Sequence, residues 1–359
     1  MQVRRRVSDP VKRRLRGSAW YDLLVTERQI AIPRPRAPRG RVVFAFPAGA
    51  GLSNQGKMTA RAYMPAMSAA LRAAGYDTRL ALSERALDRA VSARLPTTVI
   101  LVYREGGRIP AGARLDAALS RAAVVFNHPE TGRIVADKAR TNAVLAAAGV
   151  PMPRPVRVAG GAVFSNALSE SGAPVQVLER GAALDPARYN TELIDTRFEI
   201  AGRTCHVGIR LVCVDRHVVM AKALGRDARE GSPSVHAYDA PLDAALIEAL
   251  HARFVVPNTA RFADLAARIA EALGPGFWAH DLLVERGSER LLLCETGFKF
   301  DTRMYWEHVA PILDDLPSYR RFADPADMAR LATPALLRAI APAAPADDPA
   351  DDPAEAPAG

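Results

Sequence analysis

Apolar positions along the chain change their spacing several times, and each change predicts an element. RVVFAFPAG, beginning at Arg41, is a near-continuous apolar run closed by Pro47 and Gly49, the pattern of a strand buried on both faces. TARAYMPAMSAALRAAGY returns apolar residues at helical spacing and stops at Gly75. TTVILVYRE and RAAVVFNHP are two further buried runs, and the helical stretch ERALDRAVSARL precedes the first of them. Strand, helix, strand, helix, strand predicts a small parallel α/β unit over residues 41 to 127.

Beyond it the spacing changes. ETGRIVADKARTNAVLAAAG predicts one helix, with Ile134, Val135, Ala139, Ala143, Val144 and Ala147 near helical spacing; it stops at Gly149, before the extended connector VPMPRP. APVQVLE, NTELIDT, CHVGIRLVCV and HVVMAKAL alternate apolar and polar residues, as one-faced antiparallel strands do. Two helices, ALIEALHARF and TARFADLAARIAEALG, lead into AHDLLVE and RLLLCE, joined by a turn at Gly287 and Ser288. These elements predict a separate α+β body over residues 128 to 320.

The hairpin carries an acid on each arm, Asp281 and Glu295, among residues that are otherwise apolar. Burying a carboxylate without a partner costs about 3 kcal/mol or more, so a core hairpin that keeps two is expected to offer them to a cation. Mg²⁺ fits, because it takes hard oxygen donors from one or two carboxylates and completes its shell with water and nucleotide phosphates. A second reading is open here: both acids sit at strand ends, solvated or paired with arginine.

Composition narrows the classes. The chain has 359 residues, 49% of them hydrophobic, and a net charge of +9, concentrated at the start in MQVRRRVSDPVKRRLRG. Residues 1 to 40 read as a basic arm and Pro/Arg linker, 321 to 334 as a short helical segment, and 335 to 359 as an acidic Pro/Ala tail; both ends are expected to be mobile. The arm is suited to nucleic acid or anionic lipid, but no nucleic-acid-binding module accompanies it, so neither nucleic acid nor a membrane is an expected partner. Cys205, Cys213 and Cys294 are odd in number and lie in strand-like runs, which predicts reduced thiols and a cytoplasmic protein. The start lacks an apolar secretory core, and no run of 18 apolar residues occurs.

The order of these segments resembles a known family. FNHPETGRIVADKARTNAVLAAAGVPMPRP resembles the entry to an ATP-grasp domain, where an Asn-containing loop precedes a Lys-bearing helix and a GVPVP-like turn. ELIDT is similar to the hinge that contacts adenine, CHVGIRLVCVDRHVV to the Arg-bearing strand pair, and the Asp281 to Glu295 hairpin to the magnesium-binding Asp and the Glu of an E-x-N motif. The resemblance, closest in kind to glutathione-synthetase-like carboxylate–amine ligases, covers about residues 41 to 310. It implies a Rossmann-like preceding domain and then an ATP-grasp-like body of two α+β subdomains, with ATP and Mg²⁺ as cofactors and a small carboxylate and amine as substrates. Lys138 and Arg180 would meet the phosphates, Glu192, Leu193 and Ile194 the adenine, Asp281 and Glu295 the metal, and Arg210 with Lys222 the reacting phosphoryl group. The alternative it leaves is a catalytically degenerate relative that binds a nucleotide or a partner.

Several positions depart from the pattern. Gly297 stands where E-x-N has Asn, with Lys299 and Asp301 just beyond as possible substitutes. The usual basic residue at the end of APVQVLE falls on Leu178, leaving Arg180 as the replacement, and the glycine-rich flap is reduced to RGAA. A rival motif, Gly51 with Gly56 and Lys57, approaches a phosphate-binding P-loop but has Met58 where a hydroxyl must bind Mg²⁺. His280 adjoins Asp281, yet no pair of histidines has metal-ligand spacing.

Overall fold

A computed structural model describes residues 30, 32–46, 63–91, 94–103, 109–168, 175–230, 233, 241–298 and 303–341, apart from the side chains of 303–305 and 325. The fold is a mixed α/β arrangement of three sheets. The first is all parallel, in the order β2-β1-β3-β4, from β1 (Gly40–Ala45), β2 (Tyr76–Ala81), β3 (Thr97–Leu101) and β4 (Val124–Phe126). Three helices lie between these strands: α1 (Met64–Ala73), α2 (Glu84–Ala90) and α3 (Ala113–Leu119). Strand β2 and helix α3 add to the predicted elements. Asp77 and Arg79 interrupt the apolar pattern of β2, but Arg41 and Arg79 each hold the Asp77 carboxylate at 2.9 Å, so the buried acid is neutralised by partly exposed arginines.

The helix expected from residue 130 to 149 is two helices, α4 (Pro129–Val135) and α5 (Lys138–Ala147). Asp137 separates them because its extended backbone and its side chain, which accepts the Arg140 amide at 3.0 Å, form an N-cap. Lys138 is therefore the first residue of a helix and not a mid-helix surface residue.

A small antiparallel sheet follows, in the order β6-β5-β7: β5 (Val163–Ala167), β6 (Gln176–Leu178) and β7 (Arg188–Glu192). The predicted strand NTELIDT ends early, at Glu192, so Leu193 to Thr196 lie beyond the sheet edge. The large antiparallel sheet comprises β8 (Arg197–Ile200), β9 (Arg203–Val214), β10 (His217–Asp227), β11 (Phe277–Val284) and β12 (Leu291–Phe298). Its path is β10-β9-β11-β12, with β8 on the early part of β9.

One face of the large sheet is covered by α6 (Ala244–Leu250), the π-turn His251–Val255 and α7 (Thr259–Leu273). Alternate residues Val207, Ile209, Leu211 and Cys213 of β9 enter this core with Trp278 of β11 and Phe254, Phe262 and Ile269 of the helical layer. The opposite face meets the first sheet at one end: Val212, Val214 and Met220 join Phe44, Ile100 and Phe126 in a second core. Helices α8 (Arg303–Val309) and α9 (Pro325–Ile340) complete that core with Trp306 and Leu336, and α9 packs along α1. The helical segment expected to stop at 334 thus continues through Pro334 to Ile340, because Ala335 and Leu336 are buried against α1 and tertiary packing overrides the lost amide.

Asn127 bolts the two large sheets together. It is fully buried in a left-handed conformation (φ 58°), donates to the Leu101 carbonyl at 2.9 Å and accepts the Phe277 amide at 2.8 Å. The end of β3 and the start of β11 are fixed to one side chain. All three cysteines are unpaired thiols, and no described helix is long and apolar enough to cross a membrane.

Candidate functional site

Cross-strand register assembles the site. Lys222 of β10 lies opposite Arg210 of β9, Arg210 opposite Asp281 of β11, and Asp281 opposite Glu295 of β12. Directly opposite residues of antiparallel strands share a face. Four charged side chains, contributed by four strands, therefore form one row across the sheet, on the face not covered by α6 and α7.

A β-bulge makes this possible. Between Asp281 and Leu282 the register shifts, so Asp281 faces Glu295 while Leu282 faces Leu293, and Cys294 is the extra residue. With unbroken alternation, Glu295 would share a face with Leu291 and Leu293. The bulge sends the leucines into the core behind the sheet and turns Glu295 to the same side as Asp281.

The row is charge-compensated within itself. Arg210 grips Asp281 with both arms of its guanidinium, Nε to Oδ1 and Nη2 to Oδ2, each at 2.6 Å. Lys138 reaches across from the start of α5 and places Nζ 4.0 Å from Glu295 Oε1. Its own amide donates to the Leu168 carbonyl at 2.9 Å, tying the helix start to the end of the small sheet. Lys222 is completely buried, with Nζ 5.9 Å from the centre of the Trp306 ring. An ammonium over an aromatic face is attracted to it, so Trp306 helps hold a cation in an apolar setting. Beside the row, burial first and then the Glu295 and Asp281 carboxylates push the Cys294 thiol up to about 12, which keeps it protonated at neutral pH.

Behind the same strands the chemistry is different. His280 is completely buried, its Nδ1 2.7 Å from Thr296 Oγ1 and its ring stacked 5.9 Å from Trp278. Burial lowers its pKa to about 3, so it is a neutral core histidine on the far face of the sheet from the two acids.

The residues expected at the adenine are differently placed. Glu192 ends β7, and its carboxylate accepts the Arg154 amide at 3.0 Å and Nη2 at 3.1 Å, so its side chain fastens the connector to the small sheet. The amides of Glu192 and Leu193 are already donated to the carbonyls of Arg154 and Ala162 at 3.0 and 3.1 Å. Of the backbone groups expected at the base, these two amides are thus engaged within the protein. Ile194 is buried. Arg180 stands exposed in the turn after β6, outside the charged row. The P-loop-like Gly51 to Met58 and the substitutes Lys299 and Asp301 lie outside the described residues.

The donor set fits a hard divalent cation that brings other ligands with it. Two carboxylates face each other on one surface, and Gly297, two residues after Glu295, contributes no side-chain donor. No group of three or more His, Cys, Asp or Glu among the described residues could enclose a metal by itself. Mg²⁺ coordinated by one or two carboxylates together with phosphate oxygens and water matches this arrangement.

No family model and no curated protein sequence matches the chain. Several solved structures are similar to it. One is described as a RimK domain protein ATP-grasp from Sphaerobacter thermophilus, at 19% identity and a TM-score of 0.43, covering 82% of this chain and 99% of that one. A D-alanine–D-alanine ligase from Bacillus anthracis aligns at 14% identity and a TM-score of 0.48, over 84% of this chain and 98% of that one. An N5-carboxyaminoimidazole ribonucleotide synthetase from Thermotoga maritima aligns at 13% identity and 0.39, over 72% and 68%.

Proposed function

We propose that this protein is an ATP- and Mg²⁺-dependent ligase of the ATP-grasp type, which activates a carboxylate as an acyl phosphate for attack by an amine or similar nucleophile. The observation that carries this reading is the row of Lys222, Arg210, Asp281 and Glu295 across four strands, with Lys138 opposite Glu295. A surface of that composition suits a metal–polyphosphate: carboxylates for the ion, and Arg210 and Lys138 beside them for the phosphate oxygens.

Asp281 and Glu295 would hold Mg²⁺, and ATP would supply the phosphoryl group. Lys138 would act as a point charge on the phosphates, with Arg180 as a further phosphate contact from the turn after β6. Arg210, whose planar fork matches an oxyanion, would face the transferred group, and Lys222 would add a second charge at the same place. The base would lie against Leu193 and Ile194, with its polar edge on the backbone of Ile194 and the carbonyls of the segment. The protein's part in such a reaction is positioning and charge neutralisation, with little covalent chemistry of its own.

The test is ADP and phosphate release by purified protein with Mg-ATP and a panel of amino acids and carboxylic acids. Release that depends on a particular acid and amine, and falls about 100-fold or more in Glu295→Gln, is the expected result. Gly297 favours a second reading, a relative that binds nucleotide without turning it over. Nucleotide binding with no release, indifferent to Glu295→Gln, would select that one.

A further inference from the structure

We propose that Tyr319 and Trp306 are positioning residues for Lys222, so that the chain beyond the last strand of the large sheet sets where this ammonium stands. The proposal rests on the ligase reading and extends it to two aromatic side chains outside the strands of the charged row.

The pair reaches Lys222 at both ends. At the backbone end, the amide of Ala223, the next residue in β10, donates to the Tyr319 hydroxyl at 3.2 Å, and both groups are buried. At the other end, Nζ lies 5.9 Å from the centre of the Trp306 ring. The two rings also meet each other, with centres 5.9 Å apart and planes inclined at 47°. Lys222 and Tyr319 are completely buried and Trp306 nearly so, and in such close packing a shift of either ring moves the lysine with it.

The pair is fixed in turn from the helical side of the sheet. Ser318, beside Tyr319, donates its amide to Glu248 Oε1 at 3.2 Å and its hydroxyl to Glu248 Oε2 at 2.5 Å, and Glu248 belongs to α6. The Tyr319 ring meets His251, which follows α6, edge to face at 4.9 Å. β10 ends the path of the large sheet, and Tyr319 wraps that edge: its neighbour is tied to α6 over one face, while its ring touches Trp306 in the core on the other. A point charge acts on a phosphate oxygen through distance, so a misplacement on the order of 1 Å weakens its hold on the group it faces. A pair that only stabilised the fold would affect every nucleotide alike, whereas a pair that places Lys222 affects the transferred phosphoryl group.

The experiment is calorimetric titration of the full-length protein, in Mg²⁺, with ADP and with a non-hydrolysable ATP analogue, for wild type, Tyr319→Phe, Lys222→Met and the double variant. Lys222→Met is expected to weaken the analogue about tenfold and ADP by less than about twofold, since ADP lacks the phosphoryl group that Lys222 is read to face. Tyr319→Phe, which keeps the ring and loses the hydroxyl, should weaken the analogue about threefold or more, leave ADP within about twofold, and add nothing in the Lys222→Met background, because residues that act through one another are not additive. Trp306→Phe, with a smaller aromatic face, is the second variant should the tyrosine change impair folding, and it should give the same pattern. Equal losses for ADP and the analogue, a Tyr319→Phe loss that persists undiminished without Lys222, or no loss in either aromatic variant overturns the positioning role and leaves the ligase reading standing. Failure of wild type to bind either nucleotide overturns the ligase reading, and this proposal with it.

Discussion

The two faces of the large sheet are built from the same strands and differ in almost every physical respect. On one, Leu211, Trp278, His280, Leu282 and Leu293 pack under α6 and α7, and the polar His280 and Thr296 are turned to each other. On the other, one step along the same strands, lie Arg210, Asp281 and Glu295, partly exposed and paired as ions. Alternating side-chain direction allows a strand to serve stability and chemistry at once. The residues that determine whether the sheet forms are therefore distinct from those that determine what it binds, although they are neighbours in the chain.

Substitutions can break this separation if it is wrong. The largest effect should come from the buried face: Trp278→Ala removes a fully buried indole and should cost about 3 to 5 kcal/mol of stability, read as the shift in urea midpoint. Glu295→Gln on the exposed face should leave that midpoint within about 1 kcal/mol of wild type while removing turnover. A comparable loss of stability from both would mean that the faces are not functionally distinct.

Next in size is an acid sensitivity of the buried face. Burial depresses His280 to about 3, whereas its unfolded value is the ordinary 6.5, so unfolding takes up a proton below that value. The stability contributed by keeping this imidazole neutral is complete above pH 6.5 and is lost as pH falls from there toward 3. Between pH 6.5 and 5.5 the loss approaches about 1 kcal/mol, on a slope of at most about 1.4 kcal/mol per unit. Urea midpoints of metal-free protein should fall over this range, and His280→Gln should flatten the dependence. His206 and His251 are also lowered by burial and add in the same direction.

The smallest effect is expected at the edge of the small sheet. Arg154→Ala removes the exposed ion pair to Glu192 and should change stability by less than about 1 kcal/mol. Nucleotide affinity is the sharper measurement there, since the connector is also held by the backbone pair between Arg154 and Glu192. A large fall in affinity without a fall in stability would show that the pair shapes the base pocket.

Much of this architecture was legible in the sequence. Continuous apolar runs marked β1, β3 and β4, alternation marked β9 and β10, and the two acids on the hairpin stood out because burying them needs a partner. Other features were hidden for specific reasons. Asp77 and Arg79 masked β2, since a strand whose charges are neutralised by neighbours does not look buried in a one-dimensional pattern. Asp137 split a helix whose apolar spacing reads as unbroken, because capping depends on one side chain and not on periodicity. His280 reads as a possible metal neighbour when set beside Asp281, and only the pleat places it on the other side of the sheet. The pairing of the Glu192 amide with Arg154 and of the Leu193 amide with Ala162 is a tertiary feature that no local pattern shows.

By itself, the sequence determined that a carboxylate hairpin would lie late in an α/β chain, with basic residues on the strands and helix before it, because hydrophobic periodicity and the cost of buried charge are local properties. It could not determine which cation meets which anion. That was decided by register: the pairing of four strands, shifted by one bulge at Cys294, sets Arg210 against Asp281 and turns Glu295 to the same side. Register is fixed by packing on both faces of the sheet at once, so it exists only in the folded chain.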